Sequence, residues 1–139
     1  MPAWPLMDRL MYLWEVVDGK KVQAVDEDLT QAVRDREAEL WAWAWRTPQA
    51  AAWAREPWRW PTVAMWVRTF VTCESSEATA ADKGSVHRFA DQIGMTPDGL
   101  KLNGWAIAAP EIGPEAAQPT PAPARSSSRS KLKVVNGGD

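Results

Sequence analysis

Residues 41–61, WAWAWRTPQAAAWAREPWRWP, hold six of the chain's ten tryptophans. No other stretch limits the possible folds so tightly. The WAWAW alternation fits a strand, but alanine is a strong helix former and a poor strand former. The helical pattern that begins upstream also runs into it unbroken. In DEDLTQAVRDREAELWAWAWR, Asp26 is the N-cap and Glu27 and Asp28 sit at the positive end of the helix dipole. Leu29, Val33, Leu40, Trp41, Ala44 and Trp45 then fall on one stripe at helical period. Such a helix sets Trp41 and Trp45 about 40° apart and turns Trp43 to the other side. It therefore carries tryptophan on both faces.

A folded part of about 110 residues has room for a few buried tryptophans, each removing ~150–250 Å² from water, but not for nine or ten. Surplus apolar area on a surface marks an interface, so the preferred expectation is a homo-oligomer. Trp41, Trp43, Trp45, Trp53 and Trp58 are its candidate contact residues, and Trp43 is the most exposed by geometry. A second reading uses the basic interleaving of AREPWRWP, where Arg55, Trp58, Arg59 and Trp60 would alternate phosphate contacts with base stacking. From Arg46 to Arg68 there are four arginines against the single Glu56, and a duplex could use the same charges without stacking. A kinked corner with core tryptophans and solvated arginines is the plainer third reading.

The remaining elements follow from local signals. Asp18-Gly19 between two β-prone runs is the signature of a two-residue type I′ hairpin, although Leu6, Leu10, Leu13 and Trp14 also have the spacing of a helix over 6–14. Thr47-Pro48 reads as a helix start and Pro57 as its end. Pro61 opens the next helix, whose Val63, Trp66, Val67, Phe70 and Val71 form one apolar face. SSEATAADKG is expected to be a polar connection. Val86, Phe89, Ala90 and Ile93 share a face up to a Gly94 C-cap. Thr96-Pro97 starts a short helix that closes at Asn103-Gly104, after which Trp105 and Ile107 pack back. The expected class is all-α, with four to five short helices, a possible N-terminal β-hairpin and a disordered C-terminal tail. Residues 1–25 form an arm or hairpin, 26–108 the helical domain for DNA binding and oligomerisation, and 109–139 the Pro/Ala/Ser-rich tail. Within that tail Arg125, Arg129, Lys131 and Lys133 belong either to a solubilising segment or to a tethered peptide that docks on a partner.

Composition excludes several chemistries. With 16 basic and 18 acidic residues the molecule is no polybasic binder, so DNA contact must come from a local patch. A single cysteine, Cys73, and a single histidine, His87, form neither an intrachain disulfide nor a structural zinc site. No phosphate loop, GxSxG or paired His/Cys ligands occur. No catalytic residue, metal or cofactor is expected, and the acidic runs DED and DREAE read as solvated helix charge. No apolar run reaches the ~20 residues of a membrane span. Asp8 and Arg9 interrupt the apolar N-terminus, so no signal peptide is expected and the chain reads as soluble and intracellular.

RFADQIGMTPDGLKLNGW has the spacing of a helix-turn-helix through Ala90, Ile93, Gly94, Met95, Thr96 and Leu100. Its second helix offers only Lys101 as a cation, so a helix pair used for packing is the competing reading. This stretch, together with LWAWAWRTPQAAAW, resembles the small terminase subunits of tailed double-stranded DNA phages, most closely those of phages of actinobacteria. The residues that carry the likeness are Trp41, Trp45, Arg46, Thr47, Pro48, Gln49, Ala50 and Trp53, then Ile93, Gly94, Thr96 and Pro97, within residues 26–108. Where such proteins often carry arginine after the Thr-Pro turn, this chain reads DGLKLNG. The resemblance implies a protein without catalytic activity that assembles into rings in the host cytoplasm, recognises viral double-stranded DNA and hands it to the large terminase subunit, the ATPase and nuclease. The DNA-facing charges would be Arg46, Arg55, Arg59, Arg68, Arg88 and Lys101, with Arg129, Lys131 and Lys133 in a tail that tethers the large subunit. A small helix-turn-helix transcriptional regulator and a particle protein that never touches DNA are the alternatives.

Overall fold

The structure is a computed structural model and describes residues 1–109, so the expectations for the tail beyond Ala109, including Arg125, Arg129, Lys131 and Lys133, lie outside the described residues. The elements are β1 (Tyr12–Val17), β2 (Lys20–Val25), α1 (Glu27–Ala44), α2 (Ala50–Arg55), a 3-10 turn (Pro57–Arg59), α3 (Trp60–Cys73), α4 (Ala80–Gln92) and α5 (Pro97–Asn103). The fold is thus mostly helical, with five α-helices, but not strictly all-α, because β1 and β2 pair as an antiparallel hairpin.

That hairpin prevails over the competing helix across 6–14. Asp18 and Gly19 both take positive φ, 52° and 74°, the geometry of a type I′ turn, which matches the twist of the flanking strands. Its base is tied to α1. The buried Thr30 hydroxyl accepts the Met11 N–H at 2.9 Å, and the Asp26 N–H donates to the Met11 carbonyl at 2.8 Å. The residues before it run as an arm whose carbonyls are bonded elsewhere in the chain. Trp41 Nε1 donates to the Pro2 carbonyl at 3.1 Å and Arg68 to that of Met7 at 2.8 Å. Trp4 meets Trp41 edge-on, ring centres 5.3 Å apart.

Asp26 caps α1 through its bond from the Leu29 N–H, as its sequence position predicts. The next start signal is displaced. The Thr47 hydroxyl donates backward to the Ala44 carbonyl at 2.7 Å, so it closes α1 instead of capping α2, and Pro48 lies in the turn before Ala50. α3 begins at Trp60 with Pro61 in its first turn, and Val63, Trp66, Val67 and Val71 are buried as the stripe predicts. α4 starts earlier than expected, inside the polar connection. There the Thr79 side chain accepts the Asp82 N–H while the Asp82 carboxylate accepts the Thr79 N–H, a reciprocal capping box. α5 follows the expected signals, with Thr96 accepting the Gly99 N–H.

The core gathers Leu40, Trp41 and Ala44 of α1, Trp53 of α2, the α3 stripe, and Ala90 and Ile93 at the end of α4. Trp105 packs back against this core as expected, whereas Ile107 stays exposed. Leu29, expected on the buried stripe of α1, is also exposed, and Thr30 takes the buried place in that turn.

Candidate functional site

Side chains on α2, α4 and α5 meet at one joint. Trp53 is fully enclosed, and its Nε1 donates to the Ile93 carbonyl at 2.9 Å. Gln49 donates to the Gly94 carbonyl at 3.0 Å. These two bonds satisfy the carbonyls left free where α4 ends. Asn103 on α5 adds a bond to Gln92, and Arg59 reaches the same Gln92 carbonyl at 3.0 Å. The turn is tight because Gly94 and Gly99 have no side chains. A Cβ on Gly94 would lie 2.6 Å from the Trp105 ring, and one on Gly99 would lie 2.5 Å from the Asp91 carbonyl oxygen. α4, Gly94 and α5 therefore form a closely packed helix–turn–helix, held from below by the second half of the tryptophan block.

The tryptophans divide sharply between core and surface. Trp41 and Trp53 are buried within the chain, which corrects their assignment to a contact between copies, since neither has surface to offer. Trp45 is half-buried and packs edge-on against Trp41, Trp53 and Trp60, so it too belongs to the chain's own packing. Trp43 and Trp58 remain at the surface, 45% and 68% exposed. Trp43 stacks one side on Trp66. Trp60 is half-buried, and its Nε1 donates to the Trp53 carbonyl.

The six cations expected to face DNA also separate. Arg68 spans Glu37 with two bonds, Nε to Oε1 at 2.9 Å and Nη2 to Oε2 at 3.2 Å, and its guanidinium faces the Trp4 ring. Glu37 is buried in α1, so Arg68 neutralises a buried carboxylate and fastens the arm. Arg59 pairs with Glu56 and lies between the rings of Trp58 and Trp105, 4.3 and 4.7 Å from their centres. Both guanidinium groups thus have partners inside the fold, which leaves less of either charge turned outward than at the other four positions. Arg46, Arg55, Arg88 and Lys101 are exposed. They lie on four elements: the α1–α2 corner, the end of α2, the outer side of α4, and α5. Arg55 stands at the lip of a groove of about 640 Å³ between α2 and the segment after α5, lined also by Pro48, Ala52, Leu100, Trp105 and Ile107.

Two features had no clear signal in the sequence. Lys83 and His87 are exposed one turn apart on α4, on a side that the Val86–Phe89–Ala90–Ile93 face does not include. Their spacing would have placed them together had α4 been extended to Thr79. On the hairpin, Tyr12, Trp14 and Val16 are exposed, which a β-prone run does not announce by itself. Among the described residues no group of three or more His, Cys, Asp or Glu side chains could hold a metal ion, and no helix is long and apolar enough to cross a membrane. No protein-family model, curated protein or solved structure matches this chain.

Proposed function

We propose that this protein is a non-catalytic DNA-packaging protein of the small terminase kind, which oligomerises in the host cytoplasm, recognises viral double-stranded DNA and recruits the large ATPase-nuclease subunit. The observation that carries the reading is the joint itself. The two stretches whose residues resemble small terminases, 41–53 and 89–105, are docked on one another through Trp53–Ile93 and Gln49–Gly94. The motif is thus a single three-dimensional unit and not two unrelated helix caps. Exposed Trp43 and Trp58 are surfaces suited to a second copy, and Arg46, Arg55, Arg88 and Lys101 are free to meet phosphates. The described residues carry 12 basic and 15 acidic side chains. One copy would therefore bind DNA weakly, and a ring would add many weak patches through multivalency.

The compact α4–α5 pair also favours a second reading, a helix-turn-helix regulator acting as a monomer or dimer. Light scattering behind a sizing column, followed by duplex-binding titrations at several salt concentrations, separates the two. The packaging reading expects a particle of many subunits with modest affinity that falls steeply with salt, and capture of a large ATPase-nuclease partner that depends on Arg129, Lys131 and Lys133. A dimer with tight, sequence-specific binding would establish the regulator instead, and a multimer with no salt-dependent affinity would point to a particle protein.

A further inference from the structure

The hairpin is the part of the fold with the least support from the rest. A two-stranded sheet alone is marginal in water, yet here Tyr12, Trp14 and Val16 are 52%, 69% and 70% exposed. The three share one face, since alternate residues of a strand point the same way. The register Val17–Lys20, Glu15–Val22, Leu13–Ala24 with a two-residue turn makes those the hydrogen-bonded pairs. The N–H and C=O groups of Tyr12, Trp14 and Val16 consequently point away from β2, along the free edge of β1. Proteins commonly blunt such edges with lysine, proline or a bulge. β1 has none of these, while β2 carries Lys20 and Lys21.

We infer that this hairpin is a subunit-joining element, in which the free edge of β1 adds to the free edge of β2 in a second copy of the chain. Edge and charge select that pairing. Two β2 edges would leave the unprotected edge of β1 open, and two β1 edges in full antiparallel overlap would set Glu15 diagonal to Glu15. β1 against a neighbour's β2 in the register used within the hairpin sets Glu15 diagonal to Lys20 on the same face, within reach of a cross-strand pair. It also sets Gln23 and Lys21 of the next copy beside Trp14 and Val16. Such a contact is head-to-tail, so it builds rings or filaments and not closed dimers.

The inference rests on the self-association part of the function proposed above. The experiment is the solution mass of the full chain and of three variants, with helical content by circular dichroism and duplex binding measured on each. In Val16→Pro the missing N–H is one that points outward, so the hairpin keeps its own bonds while the edge is blocked. Glu15→Lys reverses the charge, and Glu15→Lys with Lys20→Glu restores the complement. The expected result is a multi-subunit particle for the natural chain, collapse toward the 15.5 kDa of one copy for both single variants with helical content unchanged, and recovery of the particle in the double variant. A single-copy mass for the natural chain overturns both this inference and the ring. A particle that survives Val16→Pro and Glu15→Lys overturns the hairpin assignment alone and leaves packaging intact. Variants that keep their mass but lose duplex binding overturn it in favour of a DNA-reading β-ribbon. A double variant that stays a single copy overturns the pairing of β1 with β2.

Discussion

Gly99 and Gly84 lie in neighbouring helices, and an alanine at each has opposite consequences. By helix propensity alone both replacements favour folding. At Gly84 nothing lies within 4 Å of an added Cβ, so Gly84→Ala should stabilise the fold by about 0.5–1 kcal/mol. At Gly99 the new methyl would meet three backbone atoms of Asp91 at 2.5–3.0 Å, which helix α4 cannot move aside. Gly99→Ala should cost about 1–3 kcal/mol, and urea denaturation of the two variants checks both signs. A different mechanism operates at Arg68. Removing it strands the buried Glu37 carboxylate and frees the arm at Met7. Because Arg68 keeps some exposure, the loss for Arg68→Ala should fall near the lower end of roughly 3–5 kcal/mol. It should appear in thermal melts, with DNA affinity per folded molecule little changed.

Among the elements, α4 depends most on a local device. Thr79→Ala removes the hydroxyl that caps Asp82 and should cost about 1 kcal/mol, visible as frayed exchange of the Asp82 and Lys83 amides. The cap also makes stability depend on pH. Hydrogen bonds from the Thr79 backbone N–H, then from its hydroxyl, hold the Asp82 carboxyl below its ordinary range. Hydrogen bonding from Arg36 does the same for Glu74 after α3. A carboxyl whose folded pKa is lowered contributes stability above its ordinary pKa of about 4 and loses it as pH falls through the lowered value. The melting temperature should therefore hold steady from neutral pH to about 5 and fall on further acidification. Asp82→Asn should flatten that acid limb, and a melt series across pH tests it. The same helix illustrates how far local signals reach. Val86, Phe89, Ala90 and Ile93 announce its buried face, but its first turn, rich in Ala, Asp and Gly, announces nothing except through the Thr79–Asp82 pair.

For the whole molecule, the measurable quantity is how DNA affinity varies with salt. Removing one cation that touches a phosphate lowers the slope of log K against log salt by about 1. Under the proposed function, Arg46→Ala, Arg55→Ala, Arg88→Ala and Lys101→Ala are each expected to reduce that slope when they face DNA, whereas Arg59→Ala is expected to lower the melting temperature and leave the slope unchanged. Fluorescence anisotropy with a labelled duplex at several salt concentrations distinguishes the two classes. A set of four exposed cations that all leave the slope unchanged would remove the DNA-binding part of the proposal.

Local chemistry was enough to read where α1, α3 and α5 begin, because caps, prolines and apolar stripes act within a few residues. Asp26 starting α1, Pro61 in the first turn of α3, Thr96 and Pro97 opening α5, and the Asp18-Gly19 turn were all legible in the sequence alone. The division of the tryptophans and arginines was not. Trp41 and Trp43 are two residues apart in the same motif, yet one is enclosed beneath the N-terminal arm and the other faces solvent. Arg55 and Arg59 flank the same proline, yet one is free and the other lies between two indole rings. Periodicity relates a side chain only to its own helix axis. Whether that face is covered depends on which distant segment packs there, here the arm at Pro2 and Met7 and the turn at Ile93–Gly94. Those long-range partners exist only after the chain has closed, and they decide which charges and rings remain free to meet another molecule.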